Sequence, residues 1–233
     1  ESIMIFRQIF DPISSTYTYL LAERIGGEAL LIDPVLEHTD NYLKLITELD
    51  LKLVLAMDTH IHADHVTATG KLAKLTDCLS AIGEQAQTEC VSLKFTEDEI
   101  IKADNLAVRA IYTPGHTDDS YSFLMKDRVF TGDTLLIRGT GRTDFQNGDP
   151  AAQYDSLFNR LLTLPEDTLV YPAHDYEGRT VSTIYEEKRF NPRLQVNSRQ
   201  QYIDQMNALE LDPPRLIDVA VPANRQCGLQ MAA

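Results

Sequence analysis

Residues 59–65 read Thr59-His60-Ile61-His62-Ala63-Asp64-His65. They follow an apolar run, residues 51–57, whose length and closing turn suit a buried strand. Four side chains with lone pairs for a metal, His60, His62, Asp64 and His65, stand within six residues. In an extended segment His60 and His62 point the same way, because side chains alternate with period two. Their imidazoles can then meet one ion, and Asp64 and His65 follow where the chain turns toward a helix. A lone histidine would more simply be an exposed loop residue or a helix cap. A packed set of four at a strand end is hard to explain that way.

Working outward, similar placements recur. Thr113-Pro114-Gly115-His116, Thr131-Gly132-Asp133-Thr134 and Pro172-Ala173-His174-Asp175 each follow a short apolar run. Strand-end loops are where a rigid sheet can aim side chains into one pocket. Of six histidines, only His38 lies elsewhere. The expected strands are residues 3–9, 17–22, 29–32, 51–57, 106–111, 121–125, 128–130 and 168–171. The expected helices are 41–49, 66–75 and 151–162, with helix and loop from about 181 onward. Two strand clusters interleaved with helices predict a layered α/β design. One domain over 1–233 is expected, its chain from about 181 forming a helical and loop extension packed on it.

Composition narrows the function classes. The 233 residues carry a net charge of −14, which repels phosphate backbones and anionic lipid. Neither nucleic acid nor membrane is an expected partner. No apolar run approaches the roughly 20 residues of a membrane-spanning helix, and the start, Glu1-Ser-Ile-Met-Ile-Phe, does not read as a secretory signal. The three cysteines, Cys78, Cys90 and Cys227, are odd in number and show no paired spacing. They are expected to be reduced thiols.

The order Thr59, His60, His62, Asp64, His65, His116, Asp133, His174 resembles the metallo-β-lactamase superfamily signature over roughly residues 3–176. The resemblance implies an αββα sandwich of two mixed sheets, with a metal at the sheet edge. Most of that superfamily is hydrolytic and uses two metals. A dinuclear zinc glyoxalase II-like hydroxyacylglutathione hydrolase is therefore the alternative reading. Finer features resemble the persulfide dioxygenases: residues 135–146, running Leu-Leu-Ile-Arg-Gly-Thr-Gly-Arg-Thr-Asp-Phe-Gln, the block Asn191-Pro192-Arg193-Leu194, and residues 217–224 followed by Cys227-Gly228. One departure is Thr140, where the best-known member is expected to carry Cys.

This closer resemblance implies one Fe(2+) per chain held by His60, His116 and Asp133, a facial triad suited to oxygen chemistry. His62, Asp64, His65 and His174 would line the vacant second site and hydrogen-bond around the first. The implied reaction oxidises glutathione persulfide with O2 to sulfite and glutathione. Arg142, Arg138 and Arg179 are candidates for its carboxylates, Asp144 for its ammonium and Tyr176 for its backbone. A non-enzymatic metal-binding protein would not need so open a ligand set. A flavodiiron-type oxidoreductase would need a flavin domain. Assembly as a homodimer stays open. The expected compartment is the cytoplasm for a bacterial source, or the mitochondrial matrix for a eukaryotic one with its transit segment removed.

Overall fold

The computed structural model describes residues 4–229. Ile3, the first residue of the first expected strand, lies outside them. Contacts divide the chain into two compact units. The first runs through Phe95 and takes up Ile100–Ala107 and the chain from Pro213 onward; the second holds Thr96–Glu99 and Val108–Asp212. From Pro213 onward the chain falls in the first unit, and the stretch before it in the second.

The first unit is built on a six-stranded mixed sheet in the order β1-β2-β3-β4-β5-β6: β1 Ile5–Asp11, β2 Thr16–Ala22, β3 Glu28–Ile32, β4 Lys52–Met57, β5 Leu79–Gly83 and β6 Leu93–Phe95. β1, β2 and β3 pair antiparallel, and β3 through β6 pair parallel. β2 is buried at every position, as a strand covered on both faces must be. Helices α1 (Thr39–Glu48) and α2 (Thr69–Thr76) belong to this unit. Tyr42 and Ile46 of α1 and Leu72 of α2 join Leu20, Leu31 and Ala56 in one apolar core. Burying each such side chain contributes about 1.5–3 kcal/mol.

The second sheet has the order β14-β13-β10-β9-β8-β7. Its strands are β7 Ile100–Ala103, β8 Leu106–Tyr112, β9 Tyr121–Leu124, β10 Arg128–Gly132, β13 Leu169–Pro172 and β14 Ser182–Thr183. Only β10 and β13 pair in parallel among the registers of β8 through β14. A small ribbon, β11 (Leu135–Leu136) with β12 (Gly139–Thr140), follows Asp133.

The helix expected over 151–162 divides. Pro150–Asp155 is α-helical (α3), and Ser156–Leu161 continues as a π-helix, with Leu162 N donating to Leu157 O at 2.8 Å. The wider turn leaves Leu157, Leu161 and Leu162 all buried. Beyond β14 come α4 (Ile184–Phe190), α5 (Arg199–Asn207) and α6 (Ile217–Arg225).

The cysteine expectation is corrected. Cys90 and Cys227 form a disulfide, and only Cys78 is a free thiol. Sequence spacing concealed the pair because 137 residues separate its members. Among the described residues, no helix is long and apolar enough to cross a membrane.

Candidate metal centre and substrate pocket

In the first unit, β4 ends at Met57 and delivers Asp58, Thr59 and His60 directly into the ligand loop. His60 and His62 do share a side, their ring centroids 4.2 Å apart, and the His65 ring lies 4.3 Å from His62. All three imidazoles are buried. The hub beneath them is Asp33, the residue just past the end of β3. Its Oδ1 accepts from Thr59 N at 2.7 Å and lies 2.9 Å from His62 Nε2. Thr59 Oγ1 lies 2.9 Å from His60 Nδ1, so a metal would be met by Nε2 of His60. Burial works to lower the His62 pKa. The Asp33 carboxylate outweighs it, with Asp58 and Asp64 adding, and the value is pushed up to about 9. Asp33, Asp58 and His62 bring ligand-type atoms within 4.8 Å of one another. Asp64 Oδ2 is 3.0 Å from His65 Nδ1, and Thr16 Oγ1 donates to the same carboxylate oxygen at 3.1 Å.

In the second unit, three strand ends carry ligand-type side chains: β8 leads to His116, β10 to Asp133 and β13 to His174. His116 Nδ1 lies 2.7 Å from Arg142 O. A carbonyl only accepts, so Nδ1 carries the proton and Nε2 holds the lone pair. That Nε2 stands 3.4 Å from Asp133 Oδ2, close to the spacing of two ligands each about 2.1 Å from one ion. The other oxygen, Asp133 Oδ1, accepts from His174 Nδ1 at 2.6 Å. One carboxylate is thereby held from one side and presented on the other.

Two glycines make this possible. A Cβ on Gly141 would lie 2.1 Å from Asp133 O and 2.8 Å from His116 Nδ1. Gly115, at φ +143°, lies against Gln153 in α3, where an added Cβ would come within 2.2 Å of Gln153 Cβ and 2.3 Å of its Cα. Side chains are excluded at both positions.

A cavity of about 500 Å³ opens beside His116, Asp133 and His174, within the ordinary range of ligand sites. Arg138, Arg142, Tyr176 and Arg179 line it, as does Arg193, which the sequence had offered only as part of a motif.

The arginines are not equivalent. Arg138 turns its guanidinium to Glu186 and the fully buried Glu187. Arg142 makes a paired contact with Asp144, through Nε at 2.6 Å and Nη2 at 2.8 Å, and donates to Asp212 O at 2.6 Å. The hydrogen bonds from Arg142 hold the Asp144 carboxyl below its usual range. Asp144 does not line the cavity. Arg179 is exposed and meets Glu177 at 2.8 Å, and Tyr176 is 73% exposed with its ring stacked on His174. Thr140 points its hydroxyl toward Tyr202 and Arg193, both about 3 Å away, and away from solvent.

Known proteins resemble the chain closely. The metallo-beta-lactamase superfamily model matches residues 12–88 and 92–174. The persulfide dioxygenase ETHE1, mitochondrial, of Mus musculus is 47% identical over 97% of this chain and 90% of its own length. The crystal structure of ETHE1 from Myxococcus xanthus is 52% identical with a TM-score of 0.94, covering 97% of this chain and all of that one. A hydroxyacylglutathione hydrolase of Dictyostelium discoideum is 30% identical over 69% of the chain and 62% of its own length. With the two mixed sheets and the histidine–aspartate groups already described, these matches place the chain in the metallo-β-lactamase superfamily and, within it, among the persulfide dioxygenases.

Proposed function

We infer that the chain is a non-haem Fe(II) persulfide dioxygenase that oxidises glutathione persulfide with O2 and water to sulfite and glutathione. The near-full-length identity to the Mus musculus enzyme carries this reading. The ligand set proposed is His60, His116 and Asp133, two imidazoles and one carboxylate. The donor chemistry fits such an ion: His116 has the right tautomer and Asp133 Oδ2 stands at ligand spacing from it. Bound ferrous iron supplies the chemistry that lets triplet O2 react with closed-shell sulfur. The remaining residues hold and orient. His174 engages the second oxygen of Asp133, which supports a single metal over a carboxylate-bridged pair. His62, Asp64 and His65 are the proposed surround of the metal shell, held in turn by Asp33 and by the Asp64–His65 contact.

The cavity is the proposed seat of the glutathione moiety. Arg142, Arg179 and Tyr176 are its proposed contacts. Asp144 acts through Arg142, and Arg138 supports the wall through Glu187. The mitochondrial naming of the Mus musculus relative supports the matrix as compartment for a eukaryotic source.

Elemental analysis of protein purified without added metal tests the metal assignment. The expected result is about one iron per chain, because the triad favours Fe(II). A stoichiometric zinc pair with glutathione-thioester hydrolysis would instead support the hydrolase reading.

A further inference from the structure

Asn224 of α6 is 4% exposed and directs its amide into the ligand loop. Its Oδ1 accepts from Thr67 N at 2.8 Å. Its Nδ2 donates to His62 O at 2.9 Å and to His65 O at 2.8 Å. These groups are 157 to 162 residues away in sequence and belong to no helix or strand. One side chain thus satisfies three backbone groups whose positions set the path of residues 62–67. A buried carbonyl or amide left unmet is costly, so the loop has a strong reason to keep that path.

The helix is itself held firmly. Val221 and Ile217 pack in one cluster with Ile61, the residue between His60 and His62. Just past the helix end, the Cys90–Cys227 disulfide ties it to the segment between β5 and β6. Thr88 Oγ1 donates to Arg225 O at 2.8 Å, and Gly70 N donates to Cys227 O at 3.1 Å, anchoring the same end to α2.

We propose that Asn224 is a positioning residue of the metal centre: it fixes the backbone of residues 62–67 and, through it, the aim of the loop's histidines and Asp64. The proposal rests on the proposed function, in which those residues surround the ligand His60.

The test compares iron-loaded wild type with Asn224→Ala and Asn224→Asp. The Asp variant keeps the shape but turns a carboxylate oxygen toward one or both carbonyls. Iron should transfer to a chelator about 10 to 100 times faster in both variants, the usual cost of losing a partner that orients ligands. The kcat per bound iron should fall by a similar factor. KM for glutathione persulfide should stay within about twofold, because the cavity side chains are untouched.

Amide hydrogen exchange over residues 62–67 should rise in the metal-free variants. Wild-type iron release and wild-type exchange over this loop would overturn the proposal. Should neither variant fold, metal-free wild type still decides. Its Thr67 amide must exchange slowly, and rapid exchange would refute the clamp. Should wild type bind no iron at all, the functional reading fails separately, and loop exchange in the variants still tests Asn224.

Discussion

At the residue scale, the side chains around the proposed centre differ by what they touch. Asp133→Ala removes the only anionic member of the proposed triad, so iron content and oxygen uptake should both vanish while far-ultraviolet circular dichroism stays native. Normal turnover would remove Asp133 from the site. Gly141→Ala places a methyl group against Asp133 O and His116, and should lose iron without any ligand being changed. Retention of full iron would show that the ribbon can move aside.

Arg142 and Arg138 should diverge. Arg142→Ala should raise KM for glutathione persulfide about tenfold or more, the loss of one charge-assisted contact, with iron unchanged. Arg138→Ala leaves the buried Glu187 carboxylate without its guanidinium partner. Breaking such a pair costs about 3–5 kcal/mol, so this variant should melt earlier while KM stays near wild type. A wild-type melting temperature would return Arg138 to the candidate substrate contacts.

At the element scale, most strands were legible because apolar runs closed by turn residues leave few alternatives. β5, β6 and β7 were not anticipated. Leu79–Gly83 contains Ser and Gly, and Leu93–Phe95 is three residues long. Neither presents a pattern that periodicity can detect, and both exist by pairing with neighbours. The π-helix after α3 was equally hidden, since its leucines fit a helical face whatever the turn width. The proposed ligands were readable because they sit at strand ends. The partners of the loop were not: Asp33 and Asn224 reach it from positions distant in sequence, and only the fold brings them there.

Two supports can be tested by stability. The disulfide closes a long loop, and breaking it with Cys90→Ser should lower stability by about 2–5 kcal/mol, measured by denaturant titration. An unchanged midpoint would mean the pair is not formed in solution. At the end of β1, Asp11 is buried. Burial alone would raise its carboxyl, yet hydrogen bonds from Ser14, His38 and Ile13 hold it below its usual value. A depressed folded pKa gives stability that is present above the unfolded value, about 3.9, and lost as pH falls through the folded one. Asp11→Asn should therefore flatten the acid limb of the stability curve below about pH 4. A limb as steep as wild type would assign the acid sensitivity elsewhere.

At the scale of the whole molecule, function follows from a fold that many hydrolases share. Motif order alone left two chemistries open, since every ligand type for a second metal is present in the chain. The choice came from the stretch after Asp133 and from the C-terminal block, whose residues turn out to build the cavity wall and hold the ligand loop. The net charge of −14 also gives meaning to the arginines that line the cavity, because an anionic tripeptide needs local positive groups within a repelling field. The dioxygenase activity is tested by following oxygen uptake and sulfite release together, in iron-loaded protein supplied with glutathione persulfide. The account predicts that each persulfide consumed takes up one O2 and releases one sulfite, and that iron-free protein does neither. Absence of oxygen uptake in fully iron-loaded protein would contradict it.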